Sequence, residues 1–257
     1  MNTYAKKIGW KAASVLVCIG VIYLWQLVAD AQFIPRVFLP GPNATWAALL
    51  KGMHSGRLSG LFTATAERMI YGWLLASLVG IAIGAIIGMS RTLRAYVEPS
   101  LEAIRPLPAS AIIPIAIALT GLGDTTVYSV ICFGALWPML LSTVQGFSAV
   151  EPTRYEFARS IGMSRTATVL KIALPSSMPD LLAGLKLSLT VALILTVVVE
   201  MLTGQQGLGT WILFAGRAYH APDLFAGIIL LGVLGYASTL VFAMLERYML
   251  RWRQRPE

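Results

Sequence analysis

Six long apolar segments are the feature that most constrains how this chain can fold. Each holds about 16 to 22 residues, close to the roughly 20 that a helix needs to cross a hydrocarbon core about 30 Å thick. Charged residues make up only 12% of the chain, whereas soluble domains carry roughly 25%. We therefore expect an all-α, polytopic membrane protein in which residues 1–257 form a single domain with six transmembrane helices. The predicted spans are residues 8–29, 69–89, 104–119, 126–145, 182–202 and 224–245.

Positively charged residues are distributed unevenly between these spans. If both termini and the stretches after the second and fourth spans lie inside, 15 Lys and Arg residues are inside and 5 are outside. Because cytoplasmic loops carry an excess of Lys and Arg, this asymmetry predicts that both termini are cytoplasmic. It also accounts for the formal net charge of +8 without nucleic acid, since the sequence has no basic arm with interleaved aromatic residues. The five outside residues are Arg36, Lys51, Arg57, Arg68 and Arg217.

The first apolar segment, residues 8–29, admits two interpretations. Residues 29–31 have the small-any-small pattern of a signal-peptide cleavage site. The segment is longer than the apolar core of a signal peptide, which is about 7 to 15 residues, and Tyr23 and Trp25 near its end are typical of a membrane interface. We predict a retained first span, with a cleaved signal peptide as the alternative.

Glycines recur every four residues in the second span, at Gly80, Gly84 and Gly88. This spacing places them on one helical face, where small residues permit close contact with another helix. Membrane helices also tolerate glycine without any special contact. Both explanations fit the pattern.

Prolines interrupt the third span at Pro106, Pro108 and Pro114. Proline donates no backbone hydrogen bond, so we expect this span to be irregular or kinked. Within a membrane such a break is tolerated only beside other protein or a water-filled cavity. We therefore expect the third span to lie against a translocation path.

A long polar stretch, residues 156–175, separates the fourth span from the fifth. Its pattern predicts one helix over residues 152–161 that ends at Gly162, and a second over residues 165–174 that ends at Pro175. We expect these two short helices to project from the bilayer. The basic residues of the stretch are Arg159, Arg165 and Lys171.

The spacing within this stretch resembles the cytoplasmic motif of the membrane subunits of bacterial ABC importers, E-A-A-x3-G-x9-I-x-L-P. The chain departs from the motif at Phe157, where the family usually has Ala. The bulkier side chain alters the surface that the motif presents to an ATPase. The matching residues are Glu156, Ala158, Gly162, Ile172, Leu174 and Pro175.

Other stretches resemble the nitrate, sulfonate and taurine branch of these permeases. The resemblance implies a type I ABC importer permease fold in the bacterial cytoplasmic (inner) membrane. It implies as partners a second copy of the chain, two ATP-binding cassette subunits and an extracytoplasmic substrate-binding protein. ATP and Mg would be bound by the ATPase partners, so this chain would hold no cofactor and would not be an enzyme. The stretches are F-L-P-G-P (38–42), R-P-L-P-A-S-A-I-I-P (105–114), G-L-G-D (121–124), L-P-S-S-M-P-D-L-L-A-G-L-K (174–186), V-V-V-E-M-L (197–202) and G-L-G-T (207–210).

The same resemblance implies a mechanical role for residues 156–175. In such importers the first helix of the motif sits in a cleft of the ATPase, and closure of two ATPases around ATP opens the permease outward. The sequence itself has no G-x-x-x-x-G-K-[ST] P-loop, so the energy must come from a partner or a gradient. The residues expected to couple the chain to the ATPase are Glu156, Phe157, Ala158, Arg159, Gly162, Ile172, Leu174 and Pro175.

One acidic residue, Glu200, lies near the outer end of the fifth span. An ionisable side chain in an apolar helix is costly to bury and by default marks a cavity, an ion path or a buried partner. Glu200 could make a structural or gating hydrogen bond, contact the solute, or lie solvated at the interface. We favour the first role, because an ionised carboxylate in the path would repel an anion. The residues expected to line or gate the path are Glu200, Pro106, Pro108, Pro114 and Thr196.

The alternative function is a gradient-driven secondary transporter with Glu200 as its coupling site. Such a carrier would show internal repeats with matching broken helices in its two halves, whereas the prolines here are concentrated in the third span. A membrane anchor without transport activity would need neither the broken span nor the polar stretch. Neither His54 nor His220 has neighbours suited to bind a metal, so we expect no metal site, and no Ser/His/Asp or paired-carboxylate arrangement indicates catalysis.

Overall fold

The computed structural model describes residues 2–104 and 106–251, and for residues 2–9, 11 and 12 it describes the backbone alone. Within these ranges the chain is helical and contains no strand. The predicted inside charges that lie outside the described residues are Arg105, Arg253 and Arg255. The helices are α1 (Asn2–Asp30), α2 (Pro42–His54), α3 (Arg57–Met89), α4 (Arg91–Ile104), α5 (Ile113–Thr120), α6 (Asp124–Ser148), α7 (Pro152–Ser160), α8 (Arg165–Thr168), α9 (Leu174–Thr203), α10 (Leu208–Arg217) and α11 (Ala221–Met249).

Five helices in the described part of the chain are long and apolar enough to cross a membrane. A sixth span results if α4 and the helical segment Ala109–Thr120, which meet at 80°, are counted together. The predicted all-helical membrane fold is confirmed. The five single spans are Ala13–Asp30, Arg57–Met89, Asp124–Ser148, Arg165–Thr203 and Ala221–Met249.

The third predicted span, residues 104–119, is broken. Pro106 and Pro108 lie between the two helical pieces, where their missing N–H groups interrupt no helix. Pro114 was also expected to disturb the span, but it lies in the first turn of α5. The N–H groups of a first turn have no partner inside the helix, so proline is tolerated there.

Two helices begin earlier than hydropathy predicts. α3 starts at Arg57 instead of near Met69, and α9 starts at Leu174 instead of Leu182. Hydropathy marks only the apolar part of such a helix, whereas the first turn of α3 carries polar side chains such as Arg57 and Ser59. α4 was not predicted because it is amphipathic and has no fully buried residue.

The core lies where α3, α6 and α9 pack side by side. Gly84 in α3 lies so close to α6 that an added Cβ would come within 2.6 Å of the Thr143 Cβ. Gly72, Gly80 and Gly88 face α6 in the same way. The glycine stripe of the second span is therefore a helix-contact face, as one of the two explanations predicted.

α1 packs against the other helices near its C-terminal end. Trp25 Nε1 donates to the Pro40 carbonyl at 3.0 Å, and the Trp25 ring stacks on Phe225 with centroids 5.7 Å apart. Large apolar side chains between residues 15 and 24 are exposed, which suits a helix surrounded by lipid. Retention of this first span stays a prediction.

Candidate functional site

α7 ends in a tight turn at Gly162, as the sequence predicted. Gly162 has a φ of 70°, a left-handed conformation that glycine adopts without strain. The Met163 N–H donates to the Ala158 carbonyl at 2.9 Å, and the Gly162 N–H donates to the Arg159 carbonyl at 3.0 Å. This Schellman arrangement satisfies the last carbonyls of α7 and turns the chain toward α8.

The prediction that a second short helix ends at Pro175 is wrong. α8 continues through a π-helical turn, Val169–Ala173, directly into α9. Proline in a regular helix clashes with the carbonyl four residues earlier, and the wider π turn just before Pro175 accommodates its ring. Arg165–Thr203 is therefore one continuous helical segment, and the end of the motif forms the base of a membrane-spanning helix.

The side chains of α7 face different surroundings. Ala158 has no exposed surface. Phe157 is 62% exposed, and Glu156 and Arg159 are also exposed. Of these four predicted coupling residues, Ala158 alone is therefore inaccessible from outside the chain.

A groove of about 770 Å³ lies between α7 and the start of α9. Phe157, Ile172 and Pro175 line it, so the fold brings three of the predicted coupling residues together. Arg154 Nη1 donates to Ser176 Oγ at 3.0 Å in the same groove, which ties α7 to the first turn of α9. The predicted coupling residues that do not line this groove are Glu156, Ala158, Arg159, Gly162 and Leu174.

Glu200 lies at the opposite end of α9 and has no exposed surface. Its Oε2 accepts a hydrogen bond from the Gly209 N–H at 2.9 Å, and Thr65 Oγ1 lies 3.0 and 3.1 Å from the two carboxylate oxygens. Arg68 Nη1 lies 3.4 Å from Oε1. These partners offset the cost of removing the carboxylate from water.

The same group of residues connects several helices. Thr65 in α3 accepts a hydrogen bond from the Leu208 N–H at 2.8 Å, where α10 begins. Arg68 Nε donates to Asp124 Oδ1 at 3.1 Å, where α6 begins, and Arg68 Nη1 donates to the Gln206 carbonyl at 2.5 Å. The set that we term the Glu200 cluster comprises Thr65, Arg68, Asp124, Glu200 and Gly209.

Two positions near Glu200, Gly207 and Gly209, have no room for a side chain. A Cβ at Gly207 would overlap the Glu200 carboxylate, and a Cβ at Gly209 would come within 2.5 Å of the Val197 carbonyl. Sequence analysis missed Arg68 as a partner and counted it only as a loop charge. The sequence did offer one indication. A buried acid is usually compensated by a nearby cation, and Arg68 directly precedes the second apolar segment.

The residues predicted to line a path lie in different environments. Thr196 has no exposed surface, and its hydroxyl donates to the Ala192 carbonyl at 2.7 Å within α9. A cavity of about 640 Å³ between α4, α6 and α9 reaches the broken span at Leu107 and Ala109, but neither Thr196 nor Glu200 lines it. The exposed prolines of this region are Pro106, Pro108 and Pro114.

Comparison with known proteins agrees with this architecture. Residues 77–252 match the family model described as a binding-protein-dependent transport system inner membrane component. Over 252 residues the chain is 29% identical to the aliphatic sulfonates transport permease protein SsuC of Bacillus subtilis, covering 98% of this chain and 91% of that protein. It is 27% identical over 261 residues to the taurine transport system permease protein TauC of Escherichia coli, covering 97% and 95%.

A solved structure shares the fold. A chain of the MetNI methionine ABC transporter, in inward-facing conformations, superposes with a TM-score of 0.67 at 18% identity, covering 75% of this chain and 95% of that chain. The family match extends over more than half of the sequence, and the described helices form a multi-pass membrane protein. The chain is thus an ABC importer permease, a transport component and not an enzyme, and it belongs to the family of binding-protein-dependent transport system inner membrane components.

Proposed function

We propose that this chain is the membrane-spanning permease subunit of an ATP-driven importer. It works as a homodimer with two separate ATP-binding cassette subunits and an extracytoplasmic substrate-binding protein. It lies in the bacterial cytoplasmic membrane with both termini inside. The observation that carries the proposal is an exposed short helix, α7, joined through α8 to a continuous spanning helix. The ATP-binding cassette subunit binds α7, and α9 moves together with α7.

The proposed ATPase-docking surface consists of Glu156, Phe157 and Ile161. Phe157 and Ile161 are 62% and 56% exposed, and large apolar side chains exposed outside the membrane spans are typical of a protein-binding surface. Ala158 does not contribute to this surface, because it has no exposed area. Phe157, the departure from the family motif, enlarges the apolar part of this surface.

Movement of α7 is transmitted through α9. This helix rises about 45 Å over its 30 residues. The bond from Arg154 to Ser176 attaches α7 to its first turn, and the Glu200 cluster attaches its last turn to α3, α6 and α10. ATP shifts the equilibrium between two permease states only through the different affinities of those states for the closed ATPase pair.

The proposed cargo is a small anion or organic solute of the nitrate, sulfonate or taurine type. The names of the relatives SsuC and TauC support this class. Glu200 does not oppose an anionic cargo, because its carboxylate is buried and faces Arg68. Its hydrogen bonds to Thr65 and Gly209 favour a structural role over that of the coupling site of a gradient-driven carrier.

Co-purification tests the docking surface. We expect Glu156→Lys to lose the cognate ATPase and ATP-driven uptake, because the substitution reverses the charge of an exposed side chain on α7. Membrane insertion should be unchanged. Glu67→Lys makes the same charge change at an exposed site on α3 and should retain both the ATPase and uptake. Wild-type uptake by Glu156→Lys would refute the docking role of α7.

A further inference from the structure

A second cavity beside α7 has a composition that ATPase docking does not explain. It has a volume of about 600 Å³ and lies between the end of α3, the start of α4 and α7. Arg91, Arg94 and Arg159 line it together with the apolar residue Met89, which is 42% exposed. We refer to it as the corner cavity.

Positive charge predominates in the corner cavity. Two carboxylates, Glu151 and Glu156, also line it, but Glu151 is 3.4 Å from Arg154, a residue outside the cavity lining. Arg94 Nε lies 4.0 Å from Glu98 Oε2, whereas among the described residues no carboxylate lies within 4.0 Å of Arg91 or Arg159. The cavity therefore suits a ligand with a single negative charge.

The corner cavity is separate from the groove beside Phe157. Tyr155, Glu156 and Arg159 of α7 line the corner cavity, whereas Thr153 and Phe157 line the groove. Residues 155 and 159 are one helical turn apart and share a face that points away from residue 157. Glu156 also belongs to the proposed docking surface and Arg159 to the predicted coupling residues, so the corner cavity adjoins the ATPase-docking surface.

The position of the corner cavity indicates which kind of ligand binds there. Met89 is the last residue of the spanning helix α3, so the cavity lies where a membrane span ends. An arginine guanidinium binds a phosphate group through two parallel hydrogen bonds. Basic residues at this depth attract anionic lipid head groups, and the exposed Met89 side chain offers apolar contact to the glycerol and first acyl carbons.

We propose that the corner cavity binds the phosphodiester head group of an anionic phospholipid. The bound phosphate bridges Arg91 on α4 and Arg159 on α7 and holds the α7 segment against the α3–α4 corner. This inference rests on the proposed function only for placing the cavity at the cytoplasmic surface. It requires no ATPase partner.

Native mass spectrometry of the full chain in detergent tests the proposal. We expect retention of added phosphatidylglycerol but not of phosphatidylcholine, and roughly 10-fold or greater loss of retention in the double variant Arg91→Gln/Arg159→Gln. The matched control Arg36→Gln/Arg217→Gln removes two exposed arginines elsewhere and should retain the lipid as wild type does. Millimolar inorganic phosphate should not displace it.

Equal retention of both lipids, or an equal loss of lipid retention in the control variant, would overturn the proposal. Displacement of the lipid by inorganic phosphate would also overturn it, because it would indicate a site for free phosphate. If the double variant does not fold, Arg91→Gln alone decides the question, with unchanged retention counting against the site. Recovery of the ATPase from the same preparations separates the two proposals. A chain that keeps its ATPase but shows no lipid preference fails only the lipid inference.

Discussion

The buried Glu200 carboxylate is surrounded by hydrogen-bonding groups of the protein, which take the place of water. Arg68 depends on the same contact, because its side chain is only 12% exposed and is shared between Glu200 and Asp124. Removing one partner of a buried ion pair is more costly than replacing both with apolar residues, since it leaves the other uncompensated. The Glu200 cluster is therefore sensitive to single substitutions.

Glu200→Gln should lower the melting temperature of the purified protein. The glutamine amide has nearly the same shape, but its NH2 group must face Gly209 N–H, Thr65 or Arg68, which supply hydrogens to the present carboxylate. An unsatisfied buried polar group costs about 1 to 3 kcal/mol. Thermal unfolding in detergent, followed by tryptophan fluorescence, measures the change. Glu67→Gln, at an exposed site, is the control, and equal melting temperatures for both variants would contradict the stabilising role.

Sequence reasoning identified Glu200 but not its partners, for a physical reason. The cost of burying a carboxylate requires that partners exist, and this follows from one residue in an apolar run. Thr65 and Arg68 are 135 and 132 positions away, and only the packing of α3 against α9 brings them near. Hydropathy carries no information on which helix ends meet.

At the scale of elements, the π turn fixes how α7 and α9 are oriented relative to each other. It inserts one wide turn between α8 and α9 without interrupting the helical segment. π turns are rare and often occur at functional sites. In the proposed importer, the turn sets which face of α7 is directed toward the ATPase.

Deleting Leu170 should abolish ATP-driven uptake while leaving membrane insertion intact. Leu170 lies in the π turn and is 58% exposed, so its side chain contributes little packing. Removing one residue converts the wide turn into an ordinary α-helical turn, in which the Pro175 ring clashes with the carbonyl four residues earlier, so α7 is displaced relative to α9. Uptake into inverted or native vesicles measures the effect, with Leu170→Ala as the control that keeps the chain length. Normal uptake by the deletion variant would show that the orientation of α7 is not important.

Within α3, two glycine substitutions should have opposite effects on stability. Gly84→Ala places a Cβ 2.8 Å from the Leu140 carbonyl of α6, and overpacking of this kind costs about 1 to 3 kcal/mol. Gly60→Ala meets no atom within 4 Å and should stabilise the helix by about 0.5 to 1 kcal/mol. Thermal unfolding of both variants measures the difference, and equal effects would contradict close α3–α6 packing.

The elements could be predicted where one local property determined them. Apolar length predicted the spans, the four-residue glycine spacing predicted the α3–α6 contact as one of two explanations, and Gly162 predicted the end of α7. Pro175 was misinterpreted because a proline usually ends a helix, and nothing in the local pattern distinguishes an end from a π turn. α4 was missed because its polar face lowers the mean hydropathy of the segment, so it does not stand out as an apolar run.

At the scale of the whole molecule, the cavity between α4, α6 and α9 is the proposed inner part of the translocation path. It extends from the broken third span to the end of α6 that leads into α7. Ser142 of α6 and Leu187 of α9 line it. A pathway that opens alternately to either side should change the accessibility of this cavity as the ATPases close.

Thiol labelling of Ser142→Cys should depend on ATP. In a background with Cys18 and Cys132 replaced by Ala, the new thiol should react in the absence of nucleotide and be protected when ATP and Mg hold the ATPases closed. Thr196→Cys is the control, because that position has no exposed surface and should react in neither condition. Equal labelling of Ser142→Cys with and without ATP would exclude this cavity from the moving path.

The continuous helical segment from Arg165 to Thr203 has a thermodynamic consequence for the proposed importer. Coupling between two binding sites is reciprocal, so the factor by which one ligand changes the affinity of the other applies equally in reverse. If ATP at the α7 end alters the outer face through α9, then arrival of a loaded binding protein at the outer face must alter ATP affinity by that same factor. The helix that transmits ATP-driven movement to the outer face therefore also transmits the arrival of cargo to the ATP sites. In an importer without cargo, the ATPases close less readily.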